Sequence, residues 1–241
     1  MKIVKYNTVL PEETVAFDEL LLLKAESGEI GETLRIWGSK ECFVVIGRAG
    51  KVSEEAILGK CESDKVKVIR RISGGGTVLQ GPGCINYSLV LSYDGDTKYR
   101  DIRASYESIL GGLARNLKKT GEDVQFFPIS DIALGDKKIS GNAQARKKKY
   151  FLHHGTLLIS FDLEKIPCYL KYPPREPEYR RGRSHEDFLV NIAISEEKLE
   201  KLLRETFSVK EESWSPSADD LKELKNLVDN KYGADEWNYA F

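Results

Sequence analysis

A run of three glycines, preceded by two arginines, constrains the fold more than any other stretch of the chain. Residues 70–79 read RRISGGGTVL and lie between two segments with the apolar pattern of β-strands. Each glycine loses more backbone freedom on folding than any other residue, so three in a row are favoured where something approaches the backbone closely. The guanidinium groups of Arg70 and Arg71 match the oxygens of a carboxylate or phosphate. The stretch therefore predicts one wall of a pocket for an anionic ligand.

The glycines alone do not separate this pocket from a flexible hairpin, which the turn rules make an equal alternative. The two arginines and a second cluster, GPG at 81–83, weigh against the hairpin. The stretch lacks the Lys-Ser/Thr ending of a P-loop and the helix-opening spacing of a dinucleotide fingerprint. Both of those phosphate sites are therefore excluded.

Length and composition favour an ordinary globular protein over a nucleic-acid-binding or membrane protein. The 241 residues fit one large domain, although two smaller ones would also fit, and we expect one main core. The formal net charge of −1 argues against wholesale nucleic-acid binding. The N-terminus has no signal-peptide pattern, and no stretch reaches the about 18 apolar residues of a membrane span. We predict a cytoplasmic protein without a membrane anchor.

The four cysteines, Cys42, Cys61, Cys84 and Cys168, are widely spaced and form no C-x-x-C pair. This spacing disfavours a disulfide framework or a zinc site and fits reduced thiols in the cytoplasm. Cys84 and Cys168 are each candidate acyl acceptors. A lone cysteine is usually a small buried hydrophobe, and nothing in the surrounding sequence marks an activated thiolate.

Hydrophobic periodicity predicts an α+β fold, with a large, mixed, mostly antiparallel sheet flanked by helices. The predicted helices are 11–28, a short one capped by Ser53, 99–119, a short one ending near Leu170, and two closing helices capped by Ser195 and Ser217. The predicted strands are 2–8, two within 33–47, one on each side of the glycine run, and four within 123–160. Hairpin turns are expected at Gly135-Asp136 and at Lys147 to Lys149. The first helix is expected to bury Phe17, Leu20, Leu21 and Leu23.

A second informative stretch, SDIALGDKKISGNAQAR, occupies residues 130–146. Lys138 and Ser140 share one face of the predicted strand, and Gly141 interrupts it where a ligand or another backbone can come close. A lysine on that inward face is a candidate partner for a carboxylate or phosphate. The alternative, a solvated surface lysine, has about even weight by pattern alone.

The histidines and the second arginine cluster are less specific. His153 and His154 are neighbours in a predicted strand, so their side chains point to opposite faces and cannot chelate one metal ion. We therefore predict no metal site. Residues 175–183 combine four arginines with prolines and a tyrosine. This loop is either a solvated connection, a surface for RNA or a carrier protein, or a pre-shaped loop that closes over an anionic ligand.

Four motifs together resemble the lipoate–protein ligase A family, within the wider superfamily of lipoate and biotin ligases and octanoyltransferases. They are VVIGR at 44–48, RRISGGGTV at 70–78, GDKKISGNAQ at 135–144 and LHHGTLL at 152–158. Their order and separations fit the family, as does the ending KYGADEWNYAF. The resemblance covers nearly the whole chain.

This resemblance implies a two-step reaction. Lipoate and ATP, with Mg²⁺, give lipoyl-AMP and pyrophosphate; a lysine of a lipoyl carrier domain then takes the lipoyl group and AMP leaves. The implied carriers are the E2 component of 2-oxoacid dehydrogenases and the H protein of glycine cleavage, with no role for nucleic acid or a membrane.

Site residues also follow from the resemblance. Lys138 is the implied catalytic residue, holding the carboxylate and phosphate oxygens and stabilising negative charge at the mixed anhydride. Asp131 is implied to bind nucleotide or metal, although Ser130 replaces the asparagine that precedes it in the family. The implied substrate-binding residues are Arg70, Arg71, Ser73, Gly74, Gly75, Gly76, Thr77, Val78, Leu79, Lys138 and Gly141.

The sequence departs from the family at its end. It stops at Phe241, where the family's small accessory domain would begin, so we expect 1–241 to be a single catalytic domain. Adenylation then needs a separate accessory protein, or the chain performs only the transfer. Related octanoyltransferases use an acyl-cysteine, but the corresponding stretch VQFFPIS has no cysteine. Transfer through Cys84 or Cys168, and a non-catalytic docking module, remain as alternatives.

Overall fold

The computed structural model describes residues 1–210 and 212–241, in which runs of strands are separated by helices. The strands are β1 Lys2–Val4, β2 Thr33–Trp37, β3 Phe43–Ile46, β4 Val68–Arg70, β5 Val78–Gln80, β6 Cys84–Ser92, β7 Val124–Phe127, β8 Asp131–Leu134, β9 Lys137–Arg146, β10 Tyr150–Leu158 and β11 Ser213–Trp214. The α-helices are α1 Pro11–Ser27, α2 Val52–Glu55, α3 Leu58–Ser63, α4 Ile102–Lys118, α5 Ile166–Tyr169, α6 His185–Phe188, α7 Glu196–Thr206, α8 Ala218–Leu227 and α9 Asp235–Asn238. Shorter 3₁₀ or π turns occupy Thr97–Arg100, Leu163–Lys165, Glu178–Arg180 and Val228–Tyr232.

The larger sheet confirms the predicted mixed, mostly antiparallel architecture. Among the described residues its strand order is β11-β1-β2-β6-β10-β9-β8-β7. Of its seven strand pairs, β11-β1 and β1-β2 are parallel and the other five are antiparallel. Two of the antiparallel pairs are the expected hairpins, β8-β9 through Gly135-Asp136 and β9-β10 through Lys147 to Lys149. A smaller sheet, β4-β3-β5, carries the strands on either side of the glycine run.

The two faces of the larger sheet have different cores. On one face, apolar side chains such as Tyr87 and Leu89 of β6 pack with α4 and α7. On the other face, α1 packs over residues such as Val90. His153 and His154 lie on opposite faces, as strand geometry requires: His153 packs against Tyr87, and His154 contacts Asp18 of α1.

Helix α1 has the predicted boundaries for the predicted reasons. Pro11 occupies the first turn together with Glu12, and Gly28 ends the helix in the left-handed conformation, with φ of +88°. The buried apolar face differs at one position: Leu22 is buried and Leu23 is only partly buried. A helix buried on most of its circumference presents nearly every leucine to some neighbour, so periodicity alone could not choose between the two.

Other boundaries shift by a few residues. The first strand ends at Val4, so the predicted span 2–8 was too long. Ser53 lies inside α2, whose cap is Lys51. Helix α4 starts at Ile102, because the side chain of Asp101 accepts a hydrogen bond from the Ala104 backbone N–H.

The two closing helices begin at their predicted caps. The Ser195 side chain accepts a hydrogen bond from the Lys198 backbone N–H, and Ser217 forms a capping box with Asp220. No helix formed by the described residues is both long and apolar enough to cross a membrane.

Gly155 offers a test of how β10 packs on its neighbours. A Cβ at this position would lie 1.7 Å from Asn142 Oδ1 and 3.0 Å from Tyr87 Cε1. We expect Gly155→Ala to lower the free energy of unfolding by about 2–3 kcal/mol, because the buried Asn142 must move. The control is Gly112→Ala in α4, where the nearest atom is the mobile Nη2 of Arg115 at 3.9 Å; it should gain about 0.5–1 kcal/mol. If urea unfolding gave the same change in the free energy of unfolding for Gly155→Ala and Gly112→Ala, this packing would be contradicted.

His153 makes stability depend on pH. Burial, and then the neighbouring His154, lower the pKa of His153 to about 3. The unfolded chain binds a proton at this residue near pH 6.5 and the folded chain does not, so stability falls as the pH drops through 6.5. Between pH 7 and pH 5 this residue should cost the folded state about 2 kcal/mol. In urea unfolding at both pH values, His153→Gln should lose less stability than the wild type; identical losses would refute the assignment.

Candidate active site

The glycine run and the larger sheet enclose a cleft of about 560 Å³. Its floor is formed by β6, β9 and β10, and its facing wall by residues 75–80 together with the end of α2. We call residues 73–77 the glycine loop and residues 171–189, which line the outer part of the cleft, the mouth loop. The cleft therefore joins the three stretches that stood out in the sequence.

The cleft crosses the strands of the larger sheet. Trp37 of β2, Asn86 of β6, Thr156 of β10 and Gly141 of β9 are successive partners in the strand register, and all four line the cleft. Three strand spacings separate Trp37 from Gly141, or about 14 Å at about 4.8 Å each. A cleft of that length fits a long chain with a head group better than a small anion.

A cation and a carboxylate occupy one end of the cleft. Lys138 Nζ lies 2.9 Å from Asp131 Oδ1, and the Asp131 side chain is buried while that of Lys138 is a quarter exposed. Gly141 makes room for this lysine, since a Cβ there would lie 2.9 Å from Lys138 Nζ. The close approach at Gly141 is thus made by the lysine side chain itself. Lys138 retains N–H donors for an anion entering the cleft.

The opposite end of the cleft is largely apolar. It is lined by Val15 of α1, Trp37 of β2 and Val78 of β5, with Val45 of β3 beside them. Apolar surface in such a site gains free energy when an apolar ligand covers it. The two ends together are suited to a ligand with an anionic head and an apolar tail.

Arg71 stabilises the glycine loop through hydrogen bonds. Its guanidinium donates hydrogen bonds to the carbonyl oxygens of Gly74 and Gly76, at 2.5 and 2.9 Å, and to Ser73 Oγ at 2.9 Å. Burial lowers the pKa of Arg71 to about 10, which leaves it charged at neutral pH. Arg71 also lines the cleft, so the same cation shapes the loop and contributes positive potential to the site.

Arg70 lies outside the cleft, contrary to the prediction that it binds substrate. Its side chain is fully buried and donates to the carbonyl oxygens of Gly47, Gly50 and Trp237 at 2.8–2.9 Å. Adjacent residues at the end of a strand point to opposite sides, so only one of two neighbouring arginines can face the ligand. Arg70 instead fixes the C-terminal segment to the end of β3.

Ser73, His154 and Asp18 form a hydrogen-bonded chain under the glycine loop. Ser73 Oγ lies 2.6 Å from His154 Nε2, and His154 Nδ1 lies 2.9 Å from Asp18 Oδ2. The order resembles a hydrolase triad, but Ser73 is only 1% exposed, already accepts a bond from Arg71 and does not line the cleft. This chain therefore holds the loop in place.

Contacts with Gly47 and Glu55 also hold the glycine loop in place. Gly75 has φ of +85°, and a Cβ on Gly47 would lie 2.0 Å from the Gly75 carbonyl oxygen. The Glu55 carboxylate accepts hydrogen bonds from the Thr77 backbone N–H at 3.1 Å and from Thr77 Oγ1 at 2.7 Å. No local sequence pattern marks Glu55 as a partner of the glycine loop, because Thr77 lies 22 residues further along the chain.

Most of the predicted site residues meet in this one cleft. Ser73 and Gly74 contribute through the loop's internal hydrogen bonds, and Arg70 is excluded. The predicted residues that line the cleft are Arg71, Gly75, Gly76, Thr77, Val78, Leu79, Asp131, Lys138 and Gly141. The described residues contain no group of three or more His, Cys, Asp or Glu side chains that could hold a metal ion.

The mouth loop places one buried arginine against the cleft. Arg180 is 4% exposed and lines the cleft, and its guanidinium lies 4.7 Å from the ring of Tyr172 and 4.9 Å from that of Phe188. Its Nη2 has no hydrogen-bond partner among the described residues. A buried guanidinium donor without a partner is costly, so an acceptor on a bound ligand would be favoured there.

The two candidate acyl-acceptor cysteines lie outside the cleft, and no other cysteine of the described residues lines it. Cys84 is 1% exposed, and burial raises the pKa of its thiol to about 12. Cys168 is exposed, and its Sγ donates to the Glu164 carbonyl oxygen. The environment of Cys84 therefore disfavours a thiolate.

A cleft with a cation at one end and an apolar wall at the other is suited to a long-chain acid. The sequence matches the family model for the lipoyl protein ligase A/B catalytic domain over residues 10–211, and the chain belongs to this family. Lipoate–protein ligase 1 of Staphylococcus aureus is 25% identical over 251 residues, covering 100% of this chain and 74% of that protein. The octanoyltransferase LipM of Kyrpidia tusciae is 27% identical over 257 residues, covering 93% of each. The protein is thus an enzyme that acts on lipoyl or octanoyl groups.

Solved structures share this fold. A bi-partite lipoate protein ligase from Thermoplasma acidophilum, studied with its E2 lipoyl domain, superposes with a TM-score of 0.83 at 24% identity, covering 99% of this chain and 95% of that one. A lipoate–protein ligase A bound with ATP superposes with a TM-score of 0.80 at 25% identity, covering 99% and 98%. The predicted fold class and the predicted family are both confirmed.

The contact between Gly47 and Gly75 can be tested by binding. Gly47→Ala should displace the glycine loop, since its Cβ would lie 2.0 Å from the Gly75 carbonyl oxygen. We expect affinity for lipoate or octanoate, measured by calorimetry, to fall at least about tenfold, the size of an overpacking penalty above 1.4 kcal/mol. The control is Gly59→Ala in α3, where a Cβ would meet nothing within 4 Å. Unchanged affinity in Gly47→Ala would show that the loop position does not matter for binding.

Proposed function

We propose that this protein is a lipoate–protein ligase that activates lipoate with ATP and transfers the lipoyl group to a lysine of a lipoyl carrier domain. The observation that carries the proposal is the Lys138–Asp131 pair at one end of the cleft, opposite the apolar end. A carboxylate and a phosphate are both anions, so each would bind favourably to a cation at this end of the cleft. The unpartnered Nη2 of Arg180 supports a second anionic contact at the mouth loop.

In the first step, a carboxylate oxygen of lipoate attacks the α-phosphorus of ATP, the bond to the β-phosphate oxygen breaks, and pyrophosphate leaves. Lys138 would contact the carboxylate and an α-phosphate oxygen together, which reduces the repulsion between two anions and holds them in line. The glycine loop offers backbone on the facing wall, where the absence of side chains permits close approach.

In the second step, the ε-amine of the carrier lysine attacks the carbonyl carbon of lipoyl-AMP. An amide bond forms, the bond to the phosphate oxygen breaks, AMP leaves and the amine loses a proton. Lys138 would stabilise the negative charge that develops on the carbonyl and phosphate oxygens. The apolar end of the cleft would hold the tail in place during both steps.

Mg²⁺ is implied as the companion of ATP. Asp131 fits this role, because each of its carboxylate oxygens accepts one close hydrogen bond, from Lys138 or from Tyr179, and keeps a further lone pair. Mg²⁺ is usually bound through one or two carboxylates and the substrate phosphates. When bound, it would neutralise phosphate charge.

The partners of the reaction follow from the proposed function. A structural relative was studied with its E2 lipoyl domain, which supports a carrier of that class. The H protein of glycine cleavage is proposed as a second carrier. We further propose that 1–241 acts as one catalytic unit. Carrier modification by the chain alone with ATP would support this, and modification only with preformed lipoyl-AMP, or only with an accessory protein added, would refute it.

A second candidate is transfer of an octanoyl or lipoyl group through a cysteine thioester. The similarity to LipM octanoyltransferases favours it. The burial of Cys84 and the position of both candidate cysteines outside the cleft weigh against it. An acyl-thioester trapped by mass spectrometry, and lost in Cys84→Ser or Cys168→Ser, would replace the ligase proposal.

Lys138→Ala tests the proposed chemistry directly. We expect lipoyl-AMP formation to fall about 100- to 1000-fold, as for the loss of one preorganised electrostatic contact in other enzymes. The matched control is Lys137→Ala, which removes the exposed neighbouring lysine and should change the rate less than about twofold. AMP release and the mass of a lipoyl domain, with lipoate and octanoate compared, provide the readouts. A wild-type rate in Lys138→Ala would remove this lysine from the mechanism.

A further inference from the structure

The buried carboxylate of Asp131 is held by two close donors that come from different parts of the chain, while Ser130 Oγ is a more distant donor, at 3.5 Å from Oδ1. Lys138 Nζ lies 2.9 Å from Oδ1, and the hydroxyl of Tyr179 donates to Oδ2 at 2.9 Å. Asp131 is 5% exposed, so these two donors provide most of its solvation. Lys138 is on β9, whereas Tyr179 is in the mouth loop.

Tyr179 is fixed in place by its ring. The ring stacks on that of Phe127 with 4.4 Å between centroids, and it lies 5.1 Å from the ring of Phe188. Burial, and then the negative charge of Asp131, raise the pKa of the Tyr179 phenol, so the hydroxyl is a donor at all physiological pH values. Tyr179 does not line the cleft and acts on Asp131 from behind it.

The mouth loop is attached to Lys138 at a second point. The backbone N–H of Val190, just after the loop, donates to the Lys138 carbonyl oxygen at 3.1 Å. Arg183 donates to the side chain of Asp136 at 3.0 Å and to the Tyr179 carbonyl oxygen at 2.8 Å. The position of the loop and the position of Lys138 are therefore mechanically linked.

Removal of the Tyr179 hydroxyl would change how Asp131 holds the lysine. With one carboxylate oxygen left without a donor, the buried carboxylate gains by rotating so that both oxygens take N–H groups from Lys138. Those N–H groups are the ones available to an anion in the cleft. The lysine would then stay close to its site but be aimed away from the ligand.

We propose that Tyr179 is a positioning residue, which fixes Asp131 and through it aims Lys138 at the anionic head of the substrate. This role rests on the proposed function of Lys138. It would make the contact between the mouth loop and Asp131 a condition for fast formation of the adenylate, because that contact sets the direction of the Lys138 N–H groups.

Tyr172 provides a matched control within the same loop. Its hydroxyl also donates to a carboxylate, that of Glu176, but Tyr172 is 49% exposed and does not line the cleft. Tyr172→Phe and Tyr179→Phe each remove one hydroxyl and keep the ring. A general effect of hydroxyl loss in the loop would appear in both variants, and an effect through Asp131 only in Tyr179→Phe.

The decisive experiment is a double-mutant cycle with Asp131. We expect Tyr179→Phe to lower the single-turnover rate of adenylate formation about tenfold, the loss of one hydrogen bond to a charged group. The KM for lipoate should stay within about twofold, because Tyr179 does not touch the ligand. In an Asp131→Ala background the same change should have less than about twofold effect. Equal effects in both backgrounds, or a wild-type rate in Tyr179→Phe, would overturn the proposal.

Hydrogen exchange of the ligand-free chain separates this inference from the proposed function. Tyr179→Phe and Asp131→Ala should each speed backbone exchange in residues 171–189, the double variant should be no faster, and Tyr172→Phe should match the wild type. If the wild type forms no lipoyl-AMP even with an accessory protein, the proposed function fails, whereas the Tyr179–Asp131 link is still judged by exchange. Unchanged exchange in Tyr179→Phe would overturn the link even in an active ligase.

Discussion

The buried carboxylate of Asp18 is the interaction on which the cleft depends. It accepts hydrogen bonds from Arg35 of β2 and Ser88 of β6 at 2.8 Å and contacts His154 of β10 at 2.9 Å. Burial would raise the pKa of Asp18, but the bond from His154 and the charge of Arg35 outweigh it and lower the pKa. Arg35, Ser88 and His154 are successive partners across the sheet, so one side chain of α1 fixes three strands. Breaking one partner of such a buried network usually costs several kcal/mol, because it leaves a charge unpaired.

The network extends from Asp18 to the glycine loop. His154 contacts Ser73, Ser73 accepts from Arg71, and Arg71 donates to the carbonyls of Gly74 and Gly76. A loop of three glycines would otherwise be mobile, since glycine restricts the backbone least. The hydrogen-bonded series from Asp18 through His154 and Ser73 to Arg71 holds the loop in one conformation, so that the loop forms a defined wall of the cleft. This explains how one stretch can combine close approach with a fixed shape, which the glycines alone could not provide.

Different interactions form the two ends of the cleft. The apolar end is assembled from α1, β2, β3 and β5 and needs only shape and burial. At the charged end, the side chains must also point in the right direction. The Lys138–Asp131 pair is held there by β8, β9 and the mouth loop. A substrate that spans both ends must satisfy both conditions. Membership of the lipoyl protein ligase A/B family agrees with such a substrate, an acid that carries a long tail.

The sequence by itself determined the features that depend on near neighbours. Pro11, Ser195 and Ser217 mark helix starts through bonds within one turn, and strand alternation put His153 and His154 on opposite faces. The same local rules, with the motif resemblance, predicted Lys138 and the glycine loop as parts of one pocket, and Lys138 and residues 75–77 line the cleft. Only the tertiary structure decided which arginine of the pair faces the cleft and which distant groups complete the site. Asp18 meets His154 across 136 residues of chain and Tyr179 meets Asp131 across 48. The packing of the sheets and loops brings such partners together, and a local sequence pattern does not predict which residues will meet.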